Sequence, residues 1–297
     1  MYNRREGGHL QDANQHGLGL QIEEAPKATR PVASAKRRAN ELDGATWTRH
    51  SISIWSDIRK VPEEVKLRHP ALFPTALVTR LIECFAGAND RVILDPFAGV
   101  GSTVIAAEAL GKLGIGIDLS EEFINKARQR SQQMTAQPGG ERRLIVDDAF
   151  NLLNHVEPNS VDLVVTSPPY WDILLQKRSA DYKETRHYGR SEKDLGRIPR
   201  YRQFIDALQD LFKLVFTALR KGKYCCVVVM DVRKKDTLYL LHADLAEALQ
   251  QIGFVLDDII IWDRRHEYNN LRPLGYPSVF RINRVHEYIL IFKKPAH

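Results

Sequence analysis

The six residues Thr-Ser-Pro-Pro-Tyr-Trp, from Thr166 to Trp171, are the part of this chain whose residue types most clearly suggest a chemistry. They follow an apolar run at 161–165 that is typical of a buried strand. Two consecutive prolines cannot continue a strand, so the backbone must turn there into a rigid, extended segment. The Ser167 hydroxyl, carbonyl groups freed from the sheet and the flat Tyr170 ring would together suit the binding of an exocyclic amino group by its hydrogens. A proline-rich turn without a function is the alternative.

A second motif follows another short apolar strand. It consists of an acid and a glycine-rich turn, in the run Asp95-Pro96-Phe97-Ala98-Gly99-Val100-Gly101-Ser102-Thr103, and a helix is predicted after it at 104–110. Glycine allows the backbone to approach a ligand closely. The motif has neither the third glycine of a dinucleotide site nor the Gly-Lys-Ser/Thr of a P-loop. Asp118 ends the next strand, where an acid can bind ribose hydroxyls or cap the following helix, and the two roles are compatible.

Together the two motifs resemble those of the S-adenosylmethionine-dependent DNA amino-methyltransferases, which methylate cytosine N4 or adenine N6. The first resembles the cofactor loop of that family and the second its catalytic loop. The likeness runs from about Trp47 to Lys294, and further matching stretches are 69–74, 116–120, 146–149 and 284–294. With a serine before the prolines and a tryptophan after the tyrosine, this loop resembles that of the N4-cytosine branch more than that of the adenine branch. In the N4-cytosine branch the catalytic loop usually comes first, so the order here resembles a circular permutation.

The alternation of strands and helices predicts an α/β fold: a doubly wound, mostly parallel seven-stranded sheet of the Rossmann-like methyltransferase type, with helices on both faces. The resemblance implies that the last strand is antiparallel. We expect Gly222 to end a long helix at 201–219 and Gly253 to end another at 240–252. A disordered or loosely docked tail is expected at 1–45. The methyltransferase domain is expected at 46–297, with a cofactor half at 46–160 and a catalytic, DNA-contacting half at 161–297.

The resemblance implies an S-adenosylmethionine site. Asp95 would hold the methionine ammonium, directly or through water, and the amides of 98–101 would face the methionine portion. Asp118 would bind the ribose, and Asp148, or Asp147 beside it, would accept from the adenine amino group; a capped turn is the alternative for these two acids. The expected cofactor-binding set is Phe73, Pro74, Thr75, Asp95, Pro96, Phe97, Ala98, Gly99, Gly101, Ser102, Thr103, Asp118, Leu119, Asp148 and Ala149.

The expected catalytic set is Ser167, Pro168, Pro169, Tyr170 and Trp171. The exocyclic amine of a base is a poor nucleophile and a sulfonium methyl is strongly electrophilic, so placement matters more than a strong base. The Ser167 oxygen and the Pro168 carbonyl are expected to accept the two amine hydrogens. Tyr170 would stack on a base flipped out of the duplex, with Trp171 as a second wall. A turn-capping hydroxyl and core packing of the two aromatic side chains are the alternatives.

The net charge of +6 and the pI near 9.2 favour a polyanionic partner, here double-stranded DNA. Two basic stretches, at 177–202 and 264–284, are the candidate DNA-contacting segments, and a solvated loop is the alternative for each. The expected DNA contacts in them are Lys177, Arg178, Arg186, Arg190, Arg264, Arg265 and Arg272. The three cysteines have no metal spacing and none follows a proline, so neither a metal site nor the nucleophile of 5-methylcytosine enzymes is expected.

The sequence has no recognisable signal peptide and no apolar run of transmembrane length. We expect a cytoplasmic, nucleoid-associated enzyme of a prokaryote or phage, monomeric or homodimeric, for which a cognate restriction nuclease is a further candidate partner. Cytosine N4 is the leading target and adenine N6 the near alternative. Two less favoured alternatives are enzymes that methylate guanine N2 in RNA or glutamine in proteins, both of which use related Pro-Pro-Tyr loops. A third is a nucleic-acid-binding module without catalysis. The intact motif residues argue against the last.

Overall fold

A computed structural model of the chain describes residues 39–67, 72–133, 138–172, 194–267 and 278–297. Helices α1 to α7 lie at Gly44–His50, Pro62–Lys66, Thr75–Phe85, Ser102–Ala109, Glu121–Gln132, Tyr201–Ala218 and Leu241–Ile252. Strands β1 to β10 lie at Ile54–Trp55, Val92–Asp95, Leu113–Asp118, Glu141–Val146, Val161–Thr166, Leu219–Val229, Val232–Lys234, Thr237–Tyr239, Val255–Asp263 and His286–Lys293.

One sheet joins eight of these strands in the order β1-β9-β10-β6-β5-β2-β3-β4. In the run β6-β5-β2-β3-β4 each strand is parallel to the next, whereas β10 is antiparallel to both β6 and β9. Seven of the eight are the predicted strands, and β1 adds two residues beside β9. The predicted α/β sheet and its antiparallel last strand are confirmed. Strands β7 and β8 form a separate hairpin.

Successive residues of the central strands pack into two different hydrophobic clusters, because side chains alternate between the faces of a sheet. Ile93 belongs to the cluster that contains side chains of α3 and α4. Leu94 belongs to the cluster that contains side chains of α6 and α7. Helices therefore cover both faces, as predicted. This explains why the central strands are apolar almost throughout.

The long helix ends within one residue of its predicted end, but the prediction that Gly222 ends it is wrong. Helix α6 ends at Ala218, and Gly222 lies inside β6 with φ of 76°, where its amide donates to the Lys294 carbonyl at 2.8 Å. The buried Lys294 ammonium donates to the carbonyls of Phe216 and Leu219, each at 2.7 Å. A side chain from the end of β10 thus supplies the donors that a glycine cap would have supplied. Gly253 does end α7 as predicted, with φ of 116°.

The folded unit begins earlier in the sequence than predicted. Residues 38–297 form one compact unit. Asn40 is buried, and its side-chain amide donates to the Cys84 carbonyl at 3.0 Å. Helix α1 begins at Gly44, where Asp43 caps it. Residues 40–45 therefore belong with the domain rather than with the expected tail. In the part of the chain that the structure describes, no helix is both long enough and apolar enough to cross a membrane.

Candidate active site

Asp95 joins the glycine loop, residues 95–103, to the proline loop, residues 166–172. Strands β2 and β5 are neighbours, so Asp95 and Thr166 end side by side at one edge of the sheet. The wholly buried Asp95 carboxylate accepts from the hydroxyls of Thr166 at 2.6 Å and Thr103 at 2.7 Å, and from the Phe97 amide at 3.0 Å. Burial raises the pKa of Asp95 to about 6, although these hydrogen bonds oppose the shift. Because Asp95 is wholly buried and already accepts three hydrogen bonds, it makes no direct contact with an ammonium group in this conformation. The expected contact through water stays a prediction.

The glycine loop is held by its own amides. Ala98 donates to the Ile117 carbonyl at 2.9 Å, Gly99 to the Asp118 carboxylate at 2.8 Å and Gly101 to the Ala98 carbonyl at 2.8 Å. These amides were expected to face the methionine portion of a ligand, and in this structure they bind within the protein instead. Gly101 has φ of 83°, and a Cβ there would lie 2.8 Å from the Ala127 Cβ. The glycine is therefore required for packing as well as for conformation.

The remaining residues of the glycine loop are mostly covered. Pro96 is buried and Phe97 half-buried. Ser102 and Thr103 are the first two residues of α4 and are buried, and the Thr103 hydroxyl also donates to the Val165 carbonyl at 3.2 Å. The contact of Thr103 with Val165 fixes the loop against β5.

Asp118 binds two backbone amides, of which the one at the start of α5 was expected and the one in the glycine loop was not. Its carboxylate accepts from the Gly99 amide and, at 2.8 Å, from the Ser120 amide at the start of α5. Burial raises the pKa of Asp118, while these two hydrogen bonds lower it. Asp118 and its half-buried neighbour Leu119 follow β3, next to the glycine loop in the sheet. The position matches that of an acid that binds a ribose diol.

The two acids after β4 differ in their contacts. The Asp147 carboxylate contacts the His155 ring at 2.6 Å and the Asn151 amide at 2.8 Å, and these hydrogen bonds lower the pKa of Asp147 to about 2. Asp148 caps the short 3₁₀ helix Ala149–Asn154 by accepting from the Phe150 amide at 3.0 Å. Asp147 is thus committed to holding the turn. Asp148, followed by the buried Ala149, remains the candidate for the adenine amino group.

A buried ion pair connects the segment 73–75 to the glycine loop, and the sequence interpretation missed it. Glu64, buried in α2, accepts from the amide and hydroxyl of Thr75 at 2.8 and 2.6 Å. Arg130 of α5 lies 3.4 Å from Glu64 and donates to the Val100 carbonyl at 2.6 Å. Phe73 and Pro74 are buried beside this pair. The expected contact at Thr75 is therefore made within the protein, and no sequence motif marked Glu64 or Arg130.

In the proline loop, the Tyr170 hydroxyl lies between two polar groups. It donates to the Glu287 carboxylate at 2.8 Å and lies 3.0 Å from the Ser167 hydroxyl. Arg264 forms an ion pair with Glu287 from the neighbouring strand. Tyr170 is 6% exposed, Pro168 and Pro169 are buried, and Ser167 is half-buried. Ser167 and Asp172 are therefore the only half-buried residues of the loop segment 167–172, and Ser167 is the one beside the Tyr170 hydroxyl.

The expectation that Trp171 forms a second wall for the base is wrong. Its indole is 3% exposed and its N–H donates to the Ile198 carbonyl at 2.8 Å. The rings of Tyr201 and Tyr239 pack on it in edge-to-face arrangements, at centroid distances of 5.2 and 4.9 Å. The Lys234 ammonium lies 4.2 Å from the ring centroid. Trp171 anchors the loop in the core, which was the alternative considered for it.

Only two of the seven expected DNA contacts lie in the described residues. Arg264 is largely buried and forms ion pairs with Glu287 and Glu267, so its expected role at a phosphate is wrong. Arg265 keeps 74% of its side chain exposed while it pairs with Asp263 at 2.6 Å, and it stays a candidate. The five that lie outside the described residues are Lys177, Arg178, Arg186, Arg190 and Arg272.

The family model for DNA methylases of the N6 and N4 type matches residues 21–129 and 161–297. The chain belongs to this DNA methylase family. It is similar to the type II methyltransferase M.MjaI of Methanocaldococcus jannaschii, with 29% identity over 171 residues, 51% of this chain and 55% of that protein. It is also similar to the type II methyltransferase M.HinfI of Haemophilus influenzae, with 37% identity over 92 residues, 29% of this chain and 25% of that protein. The matches thus span about half of the first relative and a quarter of the second.

Solved structures of methyltransferases also align with the chain. A SAM-dependent methyltransferase from Methanosarcina mazei is 16% identical, covers 76% of this chain and 99% of its own, and has a TM-score of 0.46. TrmN from Thermus thermophilus is 16% identical, covers 78% of this chain and 52% of its own, and has a TM-score of 0.48.

This DNA methylase chain brings a glycine loop with two acids and a hydroxyl-bearing proline loop to one edge of its sheet. The Asp95 carboxylate links the two loops and thereby fixes the distance between them. Such an arrangement suits a transfer that depends on orientation more than on acid or base strength. Glu287 is the residue at this edge whose contact sequence reasoning missed. A charged residue inside the apolar strand β10 was the available signal.

Proposed function

We propose that this DNA methylase chain transfers a methyl group from S-adenosylmethionine to the exocyclic amino group of a flipped base in double-stranded DNA, with cytosine N4 as its target. The observation that carries the proposal is the bond between Thr166 and Asp95, which couples the Ser167-bearing loop to the glycine loop at 2.6 Å. Family membership and the type II methyltransferase names of its relatives support DNA as the substrate.

The residues at the glycine loop fit the proposed methyl donor. Asp118 offers a carboxylate at the tip of β3, where ribose hydroxyls are bound in this type of fold. Asp95, ionised at neutral pH, contributes negative charge beneath the site and favours the ammonium group through water. Asp148 would accept from the adenine amino group. When bound there, S-adenosylmethionine supplies the electrophilic methyl.

The residues of the proline loop would orient the acceptor amine. The Ser167 oxygen and the Pro168 carbonyl would accept its two hydrogens, which localises the nitrogen lone pair and directs it toward the methyl. Orientation of two reacting groups can lower a barrier by roughly 7–11 kcal/mol. The Tyr170 hydroxyl is anchored to Glu287, which holds the ring beside Ser167. Because the ring is only 6% exposed, the expected stacking of the base on Tyr170 stays a prediction. The proton lost by the methylated amine would leave to solvent.

Serine at position 167 favours cytosine N4, because the loop resembles that of the N4-cytosine branch, whereas the adenine branch usually has Asp or Asn at this position. Adenine N6 is the second candidate, supported by the N6 and N4 scope of the family. Tritium transfer from labelled S-adenosylmethionine to unmethylated plasmid DNA, followed by nucleoside mass spectrometry, tests both. N4-methylcytosine is the expected product, and N6-methyladenine would replace the proposed base. Label that enters RNA or protein but not DNA would overturn the proposal, and a Ser167→Ala variant controls for contaminating host enzymes.

A further inference from the structure

The hydrogen bonds of Tyr170 have a direction that can be read by counting hydrogens. A phenol has one hydrogen to donate. Tyr170 donates it to the Glu287 carboxylate at 2.8 Å, and an ionised carboxylate can only accept. The contact of 3.0 Å between Tyr170 and Ser167 must then use the Ser167 hydrogen, with the phenol oxygen as acceptor. The chain of donation therefore runs from Ser167 to Tyr170 to Glu287.

This direction decides what Ser167 offers to a substrate. Once the Ser167 hydrogen points inward to Tyr170, the serine oxygen presents lone pairs outward. An amine hydrogen needs an acceptor of that kind. If the tyrosine hydrogen pointed to Ser167 instead, the serine hydrogen would turn outward and meet the amine hydrogens. A polarised chain of hydroxyls also makes the terminal oxygen a better acceptor.

Glu287 is itself firmly held. It is 5% exposed in β10, and its second carboxylate oxygen forms the ion pair with Arg264. Arg264 also pairs with Glu267 at 2.5 Å, and Glu267 lies 3.3 Å from the Lys60 ammonium. The Arg264 guanidinium packs 4.8 Å from the centroid of the Trp262 ring. These contacts leave the carboxylate little freedom to turn away from Tyr170.

We propose that Glu287 is a positioning residue for methyl transfer: it orients the Tyr170 hydroxyl, and through it makes the Ser167 oxygen an acceptor for the target amine. The inference rests on the proposed function and adds to it a residue that acts through Tyr170 and Ser167, three hydrogen bonds from the substrate. Glu287 does not contact the base and takes no proton in this role. Arg264 supplies its countercharge.

The test compares two glutamate-to-glutamine changes with matched surroundings. Glu108, buried at the end of α4, also accepts from a hydroxyl, that of Ser131 at 2.6 Å, and pairs with an arginine, Arg142. Glu287→Gln allows the side-chain amide to donate toward Tyr170 and should lower kcat about 10- to 100-fold, the effect of losing a hydrogen bond to a charged group. Its Kd for S-adenosylmethionine should stay within about twofold. Glu108→Gln should leave kcat within about twofold.

A double-mutant cycle separates positioning from general damage. Tyr170→Phe removes the hydroxyl through which Glu287 acts, so Glu287→Gln should cost less than about threefold in that background. Additive losses, or an equal loss of kcat in Glu108→Gln, would overturn the inference. An unaltered kcat for Glu287→Gln would do the same.

The same assay separates the inference from the function on which it rests. A wild-type protein that methylates neither cytosine nor adenine in DNA would overturn the proposed function, and the inference with it. A wild-type protein that is active, with losses that do not couple through Tyr170, would overturn the inference alone. Thermal unfolding of each variant identifies any loss of activity that follows from unfolding.

Discussion

The glycine loop and the proline loop lie at the same edge of the sheet but are held in different ways. The main contacts of the glycine loop with its own half span 8 residues for Asp95 and Thr103, 19 for Gly99 and Asp118, and 30 for Val100 and Arg130. The proline loop has one contact of comparable span, 27 residues from Trp171 to Ile198, and two longer ones, 62 residues from Asp172 to Lys234 and 117 from Tyr170 to Glu287. The first loop is a nearly local structure, whereas the second is fixed by the assembled sheet.

This difference separates binding from turnover. Changes at the glycine loop should act mainly on the affinity for S-adenosylmethionine. Changes at the proline loop should act mainly on the rate of transfer. The bond between Asp95 and Thr166 is the place where the two should influence each other.

The largest expected effect is at Ser167. Ser167→Ala removes the proposed acceptor of an amine hydrogen and should lower kcat roughly 100-fold or more. The Kd for S-adenosylmethionine should change less than about twofold, because none of the glycine loop contacts involves the hydroxyl. Single-turnover tritium transfer and calorimetric titration measure the two quantities. A variant with wild-type kcat would remove Ser167 from the mechanism, and one with weaker cofactor binding would contradict the separation of the two loops.

The second effect is a pH dependence at Asp95. Its pKa is raised by burial from 3.8 to about 6, so the folded protein binds this proton more tightly than the unfolded chain. Its contribution to stability is therefore full below about pH 3.8 and lost as the pH rises through about 6, a change of about 3 kcal/mol. Urea unfolding of wild type and Asp95→Asn between about pH 3.5 and about pH 8 measures it. The free energy of unfolding of the wild type, relative to the variant, should fall across this window.

The same titration predicts weaker cofactor binding in acid. An ammonium group favours ionised Asp95, so the affinity for S-adenosylmethionine should fall below about pH 6 in the wild type. Asp95→Asn should lack this dependence. An identical pH profile in both proteins would place the titrating group elsewhere.

A third effect concerns Asp118. Asp118→Ala removes the acceptor for the Gly99 amide and the proposed ribose ligand, and should weaken S-adenosylmethionine binding about 10- to 100-fold. Ser120→Ala is the matched control, because the Ser120 hydroxyl caps α5 at the Phe123 amide without touching the glycine loop. Calorimetric titration of both variants is decisive. Equal Kd values would show that Asp118 is only part of the helix start.

The smallest effect on activity is expected at Trp171. Trp171→Phe loses the hydrogen bond to Ile198 and part of the packing on Tyr201 and Tyr239, and should lower the free energy of unfolding by about 1–3 kcal/mol. The kcat should stay within about threefold at a temperature where the variant is folded. Chemical unfolding and tritium transfer test this. A large loss of kcat with unchanged stability would restore the indole as a wall of the base pocket.

Local patterns predicted the fold well. The sequence indicated parallel strands from the apolar runs at 92–95 and 163–166 and from Asp118 at the end of the next strand. The carboxyl ends of these strands were expected to meet, and the sheet confirms that arrangement. The prediction that Gly222 ends α6 was wrong because the donors for the last carbonyls of the helix come from Lys294, which a helix-capping rule cannot include. Trp171 and Arg264 were misassigned for a similar reason, since aromatic and basic side chains beside a motif look alike whether they face a ligand or the core.

The sequence by itself determined the residue types at the edge of the sheet and their order along parallel strands. It also determined the presence of Gly101, without which the glycine loop could not pack against Ala127. Those properties depend on backbone conformation and on alternation, which act over a few residues. The tertiary structure decided which polar groups meet, with Asp95 between two threonines and Tyr170 between Ser167 and Glu287. Hydrogen bonds between residues that are 71 or 117 positions apart form only when the strands that carry them pair, so the direction of the Ser167 hydroxyl is a property of the assembled sheet.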